Sequence, residues 1–465
     1  MTKEEYILMM NLEEYKIVLE FMKNGKLKEY HDLVDVLDDV KNRLLLLMNE
    51  SPQKVYDDIV FEYLNKCFDM TFYAPGITTG IKDSKSGVTI FTYNGFTKKD
   101  GTLVDEDTRF DLASTTKLFT TILALKLVSE GKFDLNRNVS DYKKFDYLDI
   151  PIEKMVKFYY NLRTDGRLDD NISLDELQRR LLNTKVIESD TFIYSDIPFI
   201  ILKYLLPQAD LNFQNYFNDE MGLLQTSYDR SFGILTGGAA DELNLVNDPK
   251  ARLIEKYNLN PGHAGIFSTS KDLIRLFDNL NNGFLKHQYI LKMITPILDV
   301  PILLNEDGTV KMKSADLTLN VNRAMGVYFK HPGGIKVCDI PDIMSDESFA
   351  IAGFTGSYAL FDLKNEISTN ILANPLSDMS ERVIDVGDLK YAISGKKTKV
   401  IQDGKVIQTM SFSRISNDLK EFQVYTLVKL RFAKNVLENK ALSEQSSVLY
   451  NEISRVFEKE RVFRK

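Results

Sequence analysis

The chain has 465 residues, 44% of them hydrophobic, which is ample for one large core with appendages. A net charge of −8 and a pI near 5.4 exclude nucleic acid as the general partner, because counterion release needs clustered Lys and Arg. Two cysteines, Cys67 and Cys338, are too few for a disulfide framework and lack metal-ligand spacing, so both are expected to be reduced and buried.

The N-terminus carries Glu4 and Glu5 among its first residues, not a basic region ahead of an apolar core, and no apolar run reaches membrane-span length. A cytoplasmic chain is expected. Residues 3 to 50 read as two amphipathic helices broken near Asn24 and Gly25, with Leu33, Val34, Val36, Leu37, Val40 and Leu44 to Leu47 on one apolar side. Such a hairpin could dock on a domain or contact a second copy of the chain. Ser51 and Pro52 open a third helix through Phe68.

Pro75 to Ile81 and Val88 to Phe96 then read as strands around a turn at Lys82 to Gly87. The stretch Phe110-Asp111-Leu112-Ala113-Ser114-Thr115-Thr116-Lys117 leads into a helix apolar on most sides, which belongs in a core, with Gly131 at its C-terminal cap. Ser114 lies at the mouth of that helix, where free N–H groups favour an alkoxide, and Lys117 follows one turn later on the same face. Residues 150 to 190 are polar and helical in pattern, with a turn at Asp165 and Gly166. Tyr194-Ser195-Asp196 precedes the apolar helix Ile197 to Leu206, and further helices are expected at Asn212 to Met221 and Ser270 to Asn281.

Strand character returns at Ala324 to Lys330, Ser348 to Ala352, Ser357 to Asp362 and Ser368 to Ala373. Early and late strands around a helical stretch predict an α+β fold with one antiparallel sheet. The tail holds a hairpin, Lys399 to Gln402 against Lys405 to Gln408, and helices near Ser416 to Glu438 and Ser443 to Glu460. From Asp388 onward sixteen Lys and Arg stand against nine acids, which reads as a solvated helical face or as a contact with an anionic partner or neighbouring subunit.

Ser-x-x-Lys alone is weak, since Ser51, Ser129, Ser140, Ser268 and Ser394 also have a lysine three residues on. What separates Ser114 is the helix mouth, because a serine needs a nearby base and a lysine serves as one only with a lowered pKa. In that setting Thr108 to Lys117 resembles the nucleophile motif of the serine β-lactamase and penicillin-binding-protein superfamily, most closely its class C β-lactamase and esterase-like branch. Tyr194-Ser195-Asp196 resembles the Tyr-x-Asn motif. Met221-Gly222-Leu223 with Thr226, Pro261 to Thr269, and Gly353-Phe354-Thr355-Gly356 match later segments in order.

The resemblance implies a β-lactamase/transpeptidase-like domain over residues 52–385, between a helical extension at 1–51 and a basic extension at 386–465. It implies Ser114 as acylated nucleophile, Lys117 as base, Tyr194 as proton relay, and the N–H groups of Ser114 and Phe354 as oxyanion hole, with no metal or organic cofactor. Two positions depart from the pattern: Ile351-Ala352-Gly353 stands where the family usually carries Lys or His, then Thr, Ser or Gly, then Gly, and Asp196 stands for Asn. With Asp196, Ile351, Ala352 and Gly353 read as substrate-binding positions, hydrocarbon in place of a cation favours a small uncharged ester or amide over a carboxylate-bearing β-lactam or stem peptide. A β-lactamase or D-amino-acid peptidase with a cation from elsewhere, and a non-catalytic binding protein that kept the fold, are the alternatives. Asp196 also suits a helix N-cap, and His263 and His331 read as structural.

Overall fold

The computed structural model describes residues 52–97, 101–142, 145–168, 172–187, 194–229, 233–234, 246–295, 324–330, 340–341, 344–377 and 381–438. The expected helices at 3–50 and 443–460, together with Cys338 and His331, lie outside the described residues. No helix among the described residues is long and apolar enough to cross a membrane.

After the helix Pro52–Asp69 come β1 (Gly76–Asp83) and β2 (Val88–Gly95), then β3 (Arg109–Asp111) and the short strands β4 (Asn161–Arg163), β5 (Lys185–Ile187), β6 (Gly233–Ile234) and β7 (Phe267–Ser268). The late strands are β8 (Tyr328–Phe329), β9 (Ser348–Ala352), β10 (Tyr358–Asp362) and β11 (Ile367–Ala373). Six of these form one antiparallel sheet in the order β2-β1-β11-β10-β9-β8, with Ile77 opposite Ala373. Early and late strands therefore close one sheet, as the sequence predicts. Among the described residues, the region expected to be helical between residues 150 and 190 holds helices at Ile152–Val156 and Leu174–Leu182, while Asn161–Arg163 and Lys185–Ile187 pair as a two-stranded ribbon.

Period-two alternation sends neighbouring side chains of each strand into different cores. Tyr358 and Leu360 of β10 join Ile59, Tyr63, Leu419 and Leu427 on one face, while Ala359 and Phe361 join Leu118, Phe119, Phe199 and Phe277 on the other. In β9 the same alternation turns Phe349 and Ile351 toward the second face, where the helical region lies.

The tail differs from the expected extension. Its hairpin is half of a four-stranded meander made of β12 (Arg382–Val386), β13 (Leu389–Ser394), β14 (Lys397–Gln402) and β15 (Lys405–Ser411), so the expected boundary at 385 falls inside β12. The helix Phe412–Glu438 then packs beside Pro52–Asp69 on the main sheet, where Leu419, Val424, Leu427 and Leu430 are buried. Arg431 donates twice to buried Asp83 at the end of β1, at 2.5 and 2.7 Å, and once to Asn365 O at 3.0 Å. Apolar burial and this buried ion pair fix the helix Phe412–Glu438 against the main sheet.

The helix that carries Lys117 spans Thr116–Ser129, behind a single 3₁₀ turn at Ala113–Thr115. It ends in a Schellman motif: Lys132 N donates to Leu127 O and Gly131 N to Val128 O, with Gly131 at φ +68°. That left-handed residue is the one the sequence marks as the cap.

Candidate active site

Ser114 sits in the 3₁₀ turn between β3 and its helix, and its neighbours are fixed from three directions. Ala113 before it has φ +44°, a left-handed conformation held by the donation of Ala113 N to Asp111 Oδ1 at 2.8 Å. Thr355 Oγ1 donates to Asp111 O at 2.6 Å and Ser357 Oγ to Leu112 O at 2.7 Å, which ties the end of β9 and the following turn to the serine turn. A Cβ on Gly353 would lie 2.2 Å from Ser357 Oγ and 2.3 Å from Leu112 O, so glycine is what permits that approach. On the third side, Leu112 N donates to Ile266 O and Ile266 N to Thr116 Oγ1.

Lys117 is fully buried, and its Nζ donates to Ser114 Oγ at 3.0 Å, Asp196 Oδ1 at 2.8 Å and His263 O at 3.1 Å. Three acceptors suit the three hydrogens of an ammonium. Tyr194 Oη donates to Ser114 Oγ at 2.8 Å, and the Lys117 ammonium lies 5.0 Å from the centre of the Tyr194 ring. Phe158 packs at 5.3 Å against that ring and helps to hold its orientation.

Asp196 occupies the N-cap position of helix Ile197–Leu205, yet its carboxylate does not cap; Ser195 Oγ accepts from Ile197 N instead. The Asp196 carboxylate is given to two lysines, with Lys117 on Oδ1 and Lys250 Nζ on Oδ2 at 3.4 Å. Burial alone would lower the Lys117 pKa, but the Asp196 charge and then Tyr194 outweigh it, so the ammonium is held above its usual value. Burial would likewise raise Asp196, and Lys117 above all holds it well below the carboxylate range.

His263 is buried beside this pair, with Nε2 3.0 Å from Asp248 Oδ1 and with Nδ1 unpartnered among the described residues. Asp248 also caps helix Pro249–Glu255 through Lys250 N and Ala251 N, and despite burial its carboxyl is brought to about 2, chiefly by the hydrogen bond from His263. Ligand atoms of Asp196, Asp248 and His263 lie within 4.8 Å of one another. Both Asp196 oxygens face ammonium groups and Asp248 is committed to its cap and to His263, so this donor set does not suit a cation.

Of the residues singled out in the sequence, Ser114, Lys117, Tyr194 and Asp196 converge within direct hydrogen bonds. Gly353 abuts the serine turn, Phe354 is 64% exposed beyond it, and Ala352 is half-buried. Ile351 is fully buried in the helix-side core with Leu112 and Phe349. Asp111 and Thr355 lie within motifs readable in the sequence but carried no role there, and nothing singled out Asp248, Lys250 or Ser357. Asp248-Pro249 carried a readable helix-start signal, whereas nothing local marks Lys250 as the second partner of Asp196.

Among solved structures, the fold resembles a penicillin binding protein from Bacillus halodurans, with 17% identity over 67% of this chain and 94% of that one and a TM-score of 0.49. It also resembles EstCE1, a hydrolase with promiscuous acyltransferase activity, with 14% identity over 69% of this chain and 96% of that one and a TM-score of 0.49. A Salmonella agona protein named "Putative D-alanyl-D-alanine carboxypeptidase" is 27% identical over 230 residues, 39% of this chain and 52% of that protein. The chain thus spans about half the length of that relative. The model of the Beta-lactamase family matches residues 78–389, about two thirds of the sequence and the whole of the site described above. The chain belongs to the beta-lactamase family of serine hydrolases, within the serine β-lactamase and penicillin-binding-protein superfamily.

Proposed function

We propose that the chain hydrolyses a small uncharged ester or amide through a covalent acyl-enzyme on Ser114. The observation that carries this reading is the convergence of Lys117 Nζ and Tyr194 Oη on one serine oxygen, at 3.0 and 2.8 Å. As Ser114 Oγ bonds to the substrate carbonyl carbon, its proton passes to Lys117 in the neutral amine form. The N–H groups of Ser114 and Phe354 receive the oxyanion, where losing one donor typically costs about 3 kcal/mol. Collapse breaks the bond to the leaving group, which takes its proton through Tyr194 Oη, and water then releases the acyl group by the reverse relay.

The substrate class rests on Ile351. This position faces the helical side of the sheet, is fully buried in hydrocarbon, and offers no charge to a carboxylate. The Salmonella relative's name favours the alternative of an acidic D-peptide. One experiment separates them: a fluorophosphonate probe and p-nitrophenyl acyl esters, with wild type against Ser114→Ala. Serine-dependent labelling and ester turnover support the proposal. Labelling with turnover of only a β-lactam or a D-alanyl-D-alanine peptide would replace it with the acidic-substrate reading, and no labelling would leave a binding protein.

A further inference from the structure

Lys250 is the second cation on Asp196, and the hydrolase mechanism above leaves it without a role. Its backbone is fixed, since Lys250 N is one of the two amides held by the Asp248 cap, and its side chain is 31% exposed while Nζ reaches Asp196 Oδ2. The ionisable side chains facing Lys117 among the described residues are Tyr194 and Asp196 ahead of helix Ile197–Leu205, Asp248 and Lys250 at the start of helix Pro249–Glu255, and buried His263. Of these, Lys250 is the cation that sits on the second Asp196 oxygen, opposite Lys117.

We infer that Lys250 is a positioning residue for acylation, one that draws the Asp196 charge away from Lys117 and so makes the Lys117 amine easier to deprotonate. An isolated Asp196–Lys117 pair would hold the ammonium tightly, and a buried lysine held that way is a poor base. A second ammonium on the opposite oxygen adds a positive charge to the neutral Lys117–Asp196 pair, so that a proton leaves Lys117 more readily than from the pair alone, while ionised Asp248 beside His263 offsets part of that charge. Asp196 then serves to orient Lys117 at a smaller penalty to its basicity. This rests on the proposed hydrolase reading.

With Lys250 part-exposed and its ammonium 3.4 Å from the Asp196 oxygen that Lys117 leaves open, removing Lys250 should move the Lys117 titration up by about half to one pH unit. The test is the rate of fluorophosphonate labelling against pH for wild type, Lys250→Met, Lys250→Gln and Lys250→Arg. Lys250→Met and Lys250→Gln should shift the rising limb to higher pH by that amount, with labelling about 3- to 10-fold slower below the limb and an unchanged plateau. Lys250→Arg should restore the wild-type limb, and the displacement should shrink in high salt because Lys250 is part-exposed. A Lys250→Met profile that coincides with wild type or moves down, or a Lys250→Arg profile as displaced as Lys250→Met, overturns the inference.

A second arm keeps its failure apart from failure of the hydrolase reading. In Ser114→Ala protein, ¹⁵N-lysine NMR follows the Lys117 amine directly, and Lys250→Met should raise its titration midpoint by the same half to one unit. If the wild type does not label, the hydrolase reading falls while this arm still decides the coupling. An unmoved midpoint overturns it.

Discussion

Replacing Asp196 with asparagine removes the charge that holds Lys117 as an ammonium while keeping an oxygen for the hydrogen bond. At the observed 2.8 Å, an effective dielectric of about 20 to 40 gives an attraction of about 3 to 6 kcal/mol, a ceiling of roughly two to four pH units. Two features reduce it. Lys250 shares the carboxylate, and the asparagine oxygen still accepts from Nζ. The expected shift is about one to two units downward in the rising limb of the acylation rate against pH. The sign follows from the mechanism: acylation needs the neutral amine, Asp196 raises the amine's pKa, and its loss lets the amine form at lower pH. Stopped-flow release of p-nitrophenol, read at several pH values below the limb, should show a gain of about 10- to 100-fold. A variant slower at every pH with an unmoved limb would assign Asp196 to positioning alone and refute the electrostatic coupling.

Tyr194→Phe keeps the ring that packs on Phe158 and removes the proton relay, so acylation should fall about 10²- to 10⁴-fold with little change in melting temperature. A loss of less than about 3-fold in labelling rate would remove Tyr194 from the relay. Asp111 is a buried carboxyl that burial pushes up to about 6 although Asn247 N and Ala113 N both donate to it. Its folded pKa exceeds the unfolded one, so its contribution is present below pH ~4 and about 3 kcal/mol is lost as pH rises through ~6. Urea melts across that window should show Asp111→Asn with a flatter pH dependence than wild type, and parallel curves would contradict the assignment. Asp83→Ala leaves the Arg431 guanidinium buried without its anion and should cost about 3 to 5 kcal/mol in denaturant melts. A cost below about 1 kcal/mol would mean that the helix Phe412–Glu438 is not held to the sheet through this pair.

The sheet and the helix behind Ser114 were readable because each depends on local pattern. Period-two runs at Val88 and Ser348, and the apolar run from Leu118 to Leu127 closed by Gly131, state their own structure. The meander was half-read, since Asp403-Gly404 announces its turn, whereas Arg382–Val386 is a strand only because Leu389–Ser394 pairs with it. Serine, lysine and tyrosine were legible because they lie in ordered motifs. Lys250 was not, because its meaning exists only where a capped helix brings it to Asp196, 54 positions away in sequence. Asp196 illustrates the limit from the other side: a carboxylate ahead of a helix fits a cap, and only the buried ammonium across from it explains why Ser195 takes over that task.

Ile351 and Gly353 are two residues apart on one strand end, and different constraints act on them. Gly353 answers to backbone: any side chain there meets Leu112 O at 2.3 Å, so the turn that carries Ser114 cannot stay in place with another residue. Gly353→Ala should therefore slow Ser114 labelling even where melting shows a folded protein. Ile351 answers to the core, where its hydrocarbon joins the buried cluster that holds Leu112 and Phe349 and stabilises the sheet. Ile351→Lys would bury an ammonium at that spot or force the strand end outward, and it should destabilise by several kcal/mol without creating a carboxylate site. A stable Ile351→Lys protein that gained turnover of acidic substrates would show that position 351 opens to the site, and the assignment of Ile351 to the core alone would fall.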